Sequence, residues 1–293
     1  LNYVEIRTKI TSTFTFMLTI AFLIDRKQTI SWKPTLLFFA AMFLFDLTTT
    51  AINNYIDTKS NDEKLQFKRT TALVIIYVLL GLSISLGLCL AYITDIVVLF
   101  AGGICFLCGI FYTYGPVPIS RQPLGEILSG FFYGLVIPFI IMYINMPEGT
   151  FLRLNISMDT VTLELKIVPL LILFGITPFC TTANIMLANN ICDLEKDILV
   201  KRHTLPYYIG NRSLYLFAGL YYLTYLSTIF LVVLGILSPV SLLSLITIFP
   251  VQKNMNRFLE KQDKGTTFIL AIKNFIMIMG TDTVILLVSG FLT

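Results

Sequence analysis

Charge is what this chain has least of. Only 13% of its 293 residues are Asp, Glu, Lys or Arg, while 56% are hydrophobic and the mean hydropathy is +0.82. That scarcity excludes a soluble globule, whose surface needs far more charge. Histidine occurs once, at His203, and cysteine five times. Cys105 and Cys108 are spaced like half a zinc site, but no second pair follows and one histidine cannot complete the set. They read as small packing residues, and disulfides are not indicated. No continuous basic stripe exists, because Lys and Arg sit in short loops; a nucleic-acid partner is therefore not expected. The apolar runs lack the strict alternation of a membrane barrel. The first of them follows Glu5, Arg7 and Lys9 directly and has no small-residue cleavage site, so no cleavable signal peptide is expected.

What the chain does have is long apolar runs. Stretches near the roughly 17–25 residues that cross a bilayer fall at Ile10–Ile24, Thr35–Asn53, Thr70–Tyr92, Ile96–Tyr112, Leu124–Met146, Ile167–Asn190, Leu214–Leu234, Pro239–Pro250 and Phe268–Leu292. The expected fold is all-α: a polytopic bundle of nine transmembrane helices forming one domain over residues 1–293. Helices are required because lipid cannot satisfy an open sheet edge. Only Thr94 and Asp95 separate the third run from the fourth, which predicts a tight helical hairpin. Assigning alternate loops to opposite faces puts fifteen basic residues on one side and five on the other, with Lys273 inside the last span. The positive-inside rule then predicts a cytoplasmic N-terminus in the cell membrane.

Carboxylates at the edge of a hydrocarbon layer are costly to hold there, and two clusters of them occupy matching places. Asn53-Asn54-Tyr55-Ile56-Asp57 ends the second run. Asn189-Asn190-Ile191-Cys192-Asp193 ends the sixth and continues through Glu195 to Asp197. Both share the pattern Asn-Asn-x-x-Asp, and both fall on the cytoplasmic face. Asn189, Asp193 and Asp197 are spaced i, i+4, i+8, which on a continuing helix stacks them on one face about 6 Å apart. Asn53 and Asp57 repeat that step, and Asp62 follows in the loop. Mg²⁺ takes oxygen ligands, usually one or two carboxylates completed by substrate phosphates, so the clusters suit a metal carrying a phosphorylated ligand. Glu63 and Glu195, next to other charges, read as solvated. Asp46 precedes Asn53 by seven residues and points along the same helix face, where it can bind an acceptor hydroxyl or take a proton.

The two clusters resemble the paired aspartate-rich motifs of the UbiA superfamily of intramembrane prenyltransferases. Residues 189–205, ending Lys201-Arg202-His203-Thr204-Leu205, are similar to the second motif of its branch that prenylates 1,4-dihydroxy-2-naphthoate. Val4 to Lys9, and Phe111 to Pro118 with Pro123 to Glu126, resemble further segments of that branch. The chain departs from the pattern at Asn54, where Asp is usual, and at Cys192, where Arg is usual. The resemblance implies a UbiA-like bundle with a central cavity open to the cytoplasmic face, the first motif near 53–62 and the second near 189–205. It implies a polyprenyl diphosphate held by Mg²⁺ on Asp57, Asp62, Asp193 and Asp197, with Asn53 and Asn189 supporting the metal site and Lys9, Lys201 and Arg202 adding to the clamp. It also implies an aromatic acceptor, dihydroxynaphthoate-like, that loses its carboxylate to give demethylmenaquinone. An allylic carbocation needs water excluded and π-faces nearby; Tyr112 is the candidate, with Tyr114 behind it. The membrane lipid itself is a partner.

Other classes fit less well. A cation-coupled transporter places its site near the midplane on interrupted helices, not at one edge. A CDP-alcohol phosphotransferase shows one compact aspartate run with interleaved Gly and Ala-Arg, absent here. A UbiA-type enzyme using another aromatic acceptor is the remaining alternative. Asn184, Lys273, Asn274 and Asp282 lie inside spans without an assigned role; a separation of nine makes Lys273 and Asp282 a poor helical pair, so each is expected to find its partner on another helix.

Overall fold

The computed structural model describes residues 3–5, 9–60, 65–115, 118–147, 150, 152–156, 161–165 and 168–292, with backbone alone at 57, 59, 60, 152–156, 161–165 and 168. All nine apolar runs are helical. Seven helices are long and apolar enough to cross a membrane. The first run forms α1, Ile10–Asp25, whose 16 residues reach only about 24 Å along the axis. The eighth begins as a 3₁₀ helix, Pro239–Thr247, and passes into α11, Ile248–Glu260; Pro250 is tolerated there because it falls in the first turn.

By packing the chain divides into two compact units. One comprises Leu1–Thr13 and Ser31–Ser120, the other Phe14–Ile30 and Arg121–Thr293. In the first unit α2 (Trp32–Ser60) packs on α3 (Arg69–Ile93) and α4 (Ile96–Thr113). The predicted hairpin between α3 and α4 is present. Its turn is made by Asp95, whose carboxylate accepts from the Val97 and Val98 amides at 2.9 and 3.2 Å and so caps α4. Gly109 lets α4 close on α2, since a Cβ there would stand 2.6 Å from the Phe45 ring. Tyr3 is buried against α2, and its hydroxyl donates to the Ala51 carbonyl at 3.0 Å. Burial, aided by Tyr55, pushes that phenol up to about 12.

The second unit is organised around α7 (Val168–Cys192), against which α10 (Arg212–Val233), α12 (Phe268–Leu292) and the fifth span all pack. The fifth span is α5 (Gly125–Phe131) joined through a π-helical turn, Phe132–Val136, to α6 (Ile137–Asn145). A Cβ on Gly134 would lie 2.5 Å from the Phe179 backbone, and one on Gly175 would lie 2.5 Å from the Gly134 carbonyl. Side-chain-free contact at both positions lets the π turn lie against α7. Between the fifth and sixth spans an antiparallel hairpin pairs β1 (Leu152–Ile156) with β2 (Val161–Leu165), Leu152 opposite Leu165. This segment departs from the all-helical expectation; it lies in the connection, outside the apolar runs.

Two of the four intramembrane polar residues left without a role find partners on another helix, as expected. Asn184 donates to the Phe217 carbonyl of α10 at 3.0 Å, and Asn274 accepts from Asn254 of α11 at 2.8 Å. Lys273, near the start of α12, is exposed.

Candidate active site

The first motif rides on the last turns of α2, which runs seven residues beyond the apolar stretch and so carries Asn53 and Asp57 on continuous helix, as the spacing predicts. Among the described residues the Asn53 side-chain oxygen Oδ1 is buried with no hydrogen-bond partner, an arrangement that favours a ligand. Asn54 turns the other way: its amide donates to the Tyr3 carbonyl at 2.9 Å and to Glu5 at 3.2 Å, so it ties down the N-terminal segment. The Asp57 side chain and all of Asp62 lie outside the described residues, as do residues 6–8 and 116–117 of the segments that resemble the family.

Deeper on α2, Lys9 and Asp46 form an ion pair at 2.9 Å, with side chains 5% and 8% exposed. Ser12 donates to the other carboxylate oxygen at 2.7 Å, and the Lys9 ammonium also donates to Thr50. The sequence suggests separate duties for Lys9 and Asp46; the structure makes them one unit. Tyr112, next to the last residue of α4, is half-buried, whereas Tyr114 is 63% exposed.

The second motif lies where α7 gives way to α8 (Leu194–Leu199). The i to i+4 ladder continues through the junction: the Asp193 amide donates to the Asn189 carbonyl at 3.0 Å, and the Asp197 amide donates to the Asp193 carbonyl at 2.8 Å. Asn189 and Asp193 therefore share a face, as predicted, and one cation bridges them. That cation is the Lys264 ammonium, 2.5 Å from Asp193 Oδ2, in contact with Asn189 Oδ1 and lying 4.7 Å over the Phe268 ring. Lys264 belongs to a turn built by Asp263, whose carboxylate accepts from the Thr266 hydroxyl at 2.6 Å and amide at 2.8 Å. The Thr266 side-chain hydrogen bond, ahead of its amide, holds the Asp263 carboxyl below its ordinary value. A lowered carboxyl supports the turn above the ordinary carboxylate range, and that support fades as pH falls through the lowered value.

Asp197 is buried and pairs with Arg202 at 3.6 Å. The Arg202 guanidinium also reaches Asn190 at 3.5 Å, and Asn190 donates to Glu126 of α5 at 2.8 Å. Glu126 is 3% exposed, and among the described residues its second oxygen has no hydrogen-bond partner. Lys201 is exposed, with φ at 56°, a backbone region that favours glycine. Sequence spacing alone misses Lys264, 71 residues from Asp193. Glu126 stands in a segment that resembles the family, but nothing in its spacing ties it to Asn190.

The oxygen donor set of the second motif fits a hard cation. The Lys264 ammonium shows that these donors, one amide and one carboxylate oxygen, can close on a single cation. Among the described residues no three His, Cys, Asp or Glu side chains converge; the Asp57 side chain and Asp62 lie outside that set.

Fold and motifs define a polytopic helical membrane protein whose acidic motifs end two of its long helices. The sequence model of the UbiA prenyltransferase family matches residues 14–276. The chain belongs to that family of prenyltransferase enzymes. It is similar to the 1,4-dihydroxy-2-naphthoate octaprenyltransferase of Bacillus subtilis (strain 168), 27% identical over 224 residues, 71% of this chain and 66% of the relative, just under two thirds of that protein's length. Among solved structures, one from a study of digeranylgeranylglyceryl phosphate synthase in membranes aligns with a TM-score of 0.66 at 19% identity, covering 99% of this chain and 98% of that one. A UbiA homologue from Archaeoglobus fulgidus, bound to GPP and Mg²⁺, aligns at 0.64 with 14% identity, covering 100% and 99%. A UbiA homologue from Aeropyrum pernix K1 without ligand aligns at 0.64 with 15% identity, covering 92% and 96%. These structural likenesses establish the fold.

Proposed function

We propose that this protein transfers a polyprenyl group from an allylic polyprenyl diphosphate to 1,4-dihydroxy-2-naphthoate, with loss of CO₂, giving the quinol form of demethylmenaquinone. The observation that carries this reading is the pair of oxygens from Asn189 and Asp193 closing on a single cation at the end of α7. The Bacillus subtilis relative, named for a naphthoate prenyl transfer, supports the choice of acceptor. The residues act as one domain over 1–293, with nine spans, the N-terminus in the cytoplasm and the acidic motifs at the cytoplasmic face.

Bound Mg²⁺ supplies the positive charge that neutralises a diphosphate leaving group. The residues that would hold it are the carboxylates of Asp57, Asp62, Asp193 and Asp197, with Asn53 and Asn189 adding amide oxygens. Arg202, paired with Asp197, and Lys201, exposed beside it, serve the diphosphate oxygens. As the allylic C–O bond breaks, its electron pair leaves with the diphosphate, and these fixed charges favour that more than they favour the intact substrate. Tyr112 offers a π-face to the cation left behind. The ring carbon bearing the carboxylate attacks, and the electrons of the C–CO₂ bond restore aromaticity as CO₂ departs. Asp46, held by Lys9 and Ser12, orients an acceptor hydroxyl. The test is purified protein in detergent with Mg²⁺, labelled geranyl, farnesyl and longer diphosphates, and a panel of aromatic acceptors. Release of CO₂ with a prenylated naphthoquinol is the expected result; transfer only to other rings, or none, defeats the reading.

Lys264 occupies its carboxylate only until a metal arrives. Lys264→Met is therefore expected to tighten binding of Mn²⁺ alone, followed by spin resonance, by about fivefold, the size of a half-exposed ion pair. Unchanged or weaker Mn²⁺ binding removes Lys264 from the metal's place. The proposed orientation has its own check: a cysteine placed at Lys201 is expected to react with an impermeant thiol reagent only in inverted vesicles. Labelling from the external side reverses the topology.

A further inference from the structure

Near the middle of α7 lies a second polar place that the transfer reaction does not use. Thr177 precedes Asp193 by sixteen residues, about 24 Å along the helix. It lines a cavity of about 20 Å³ together with Asp282 of α12, Ser241 of the 3₁₀ helix and Thr228 of α10, closed on its apolar side by Leu18 and Phe174 among others. That volume holds about one water-sized particle. Asp282 is the fifteenth residue of α12, about 15 Å from the last, so its carboxyl sits in the middle of a span.

The hydroxyl protons around the cavity are already committed. Ser227 donates to the Thr224 carbonyl at 2.8 Å, which leaves Thr177 to donate to Ser227 at 3.2 Å. Thr228 donates to the Thr224 carbonyl at 3.3 Å. Thr247 donates to the Ser244 carbonyl at 2.7 Å, so Tyr225 gives its proton to Thr247 at 3.0 Å. Thr177 and Thr228, which both line the cavity, thus keep acceptor capacity on their hydroxyl oxygens. Ser241 is 4% exposed, and among the described residues its hydroxyl has no hydrogen-bond partner. Asp282 lines the cavity and forms no salt bridge among the described residues. A carboxylate at the middle of a span has to be balanced by a cation or a proton.

The geometry points to a monovalent-cation site, sized for Na⁺, formed by the Asp282 carboxylate with the hydroxyl oxygens of Ser241, Thr177 and Thr228. One carboxylate balances one positive charge, and the donors are all hard oxygens, which suit an alkali ion rather than a transition metal. The cavity's size leaves no room for an organic ligand. A bound ion there joins α7, α10, α12 and the 3₁₀ helix through one centre, so it stabilises the second unit.

Thermal unfolding of the purified full-length protein in detergent, followed by the reactivity of buried thiols such as Cys180, tests this. NaCl is expected to raise the midpoint by about 5 °C over choline chloride at equal ionic strength, since an ion that binds only the folded state stabilises it. Asp282→Asn is expected to abolish the difference. Ser241→Ala, a smaller change that keeps the carboxylate, is expected to shift the Na⁺ titration to about tenfold higher concentration, and it decides the matter if the Asn variant does not fold. Equal midpoints in Na⁺ and choline, a difference that survives Asp282→Asn, a Ser241→Ala titration that coincides with wild type, or a midpoint that follows pH alone each overturn the site; the last assigns the balancing charge to a proton.

Discussion

Asp193→Ala lowers prenyl transfer by about a hundredfold or more, the usual cost of removing one fixed group that stabilises developing charge in a transition state. The structure sharpens this beyond a general loss of function. Asp193 meets Lys264 where both are partly solvated, at 19% and 40% exposure, and an ion pair of that kind contributes at most about 1 kcal/mol to folding. The variant is therefore expected to keep its unfolding midpoint within a few degrees while losing activity and the binding of Mn²⁺. Asp57→Ala is expected to match it, since Asp57 holds the same place in the repeated pattern. Wild-type transfer by either variant takes that carboxylate out of the mechanism. A collapse of stability equal to the loss of activity would instead make Asp193 a structural residue.

Lys9→Met has the opposite signature, a large loss of stability. Lys9 and Asp46 are both nearly sealed from solvent. Removing one partner of such a pair leaves an uncompensated charge inside and costs about 3–5 kcal/mol. Asp46→Leu is expected to cost a similar amount for the same reason. The double change Lys9→Met/Asp46→Leu leaves no orphaned charge and is expected to recover most of the loss, giving a coupling of at least about 2 kcal/mol in a double-mutant cycle. Single variants that each cost under about 1 kcal/mol and add without coupling contradict the pairing. The recovered double variant also separates two roles. If it folds but fails to transfer, the pair orients the acceptor; if it transfers normally, the pair only holds the start of α1 to α2.

Much of the molecule was legible in its sequence. The long apolar stretches announce helices because lipid leaves the backbone no other way to satisfy its polar groups, and all nine runs are helical. The two-residue gap at Thr94 and Asp95 announced the hairpin. The Asn189 to Asp193 step announced a shared helix face, since that relation depends only on helical pitch. The hairpin of β1 and β2 was missed although Leu152 to Ile156 and Val161 to Leu165 alternate apolar and polar residues, the period-two signal of a strand. The search for long apolar runs passed over it because each alternating stretch is only five residues long.

Composition and local spacing therefore determined that this is a helical membrane protein with a repeated acidic helix end, because hydrophobic thickness and helical pitch act on neighbouring residues. The tertiary structure alone decided which charges meet. Lys9 reaches Asp46, Lys264 reaches Asp193 and Asn190 reaches Glu126 across intervals of 37, 71 and 64 residues. Such partners are chosen by how helices pack and by the cost of leaving a polar group alone in a medium without water, and neither quantity is written in the order of the residues.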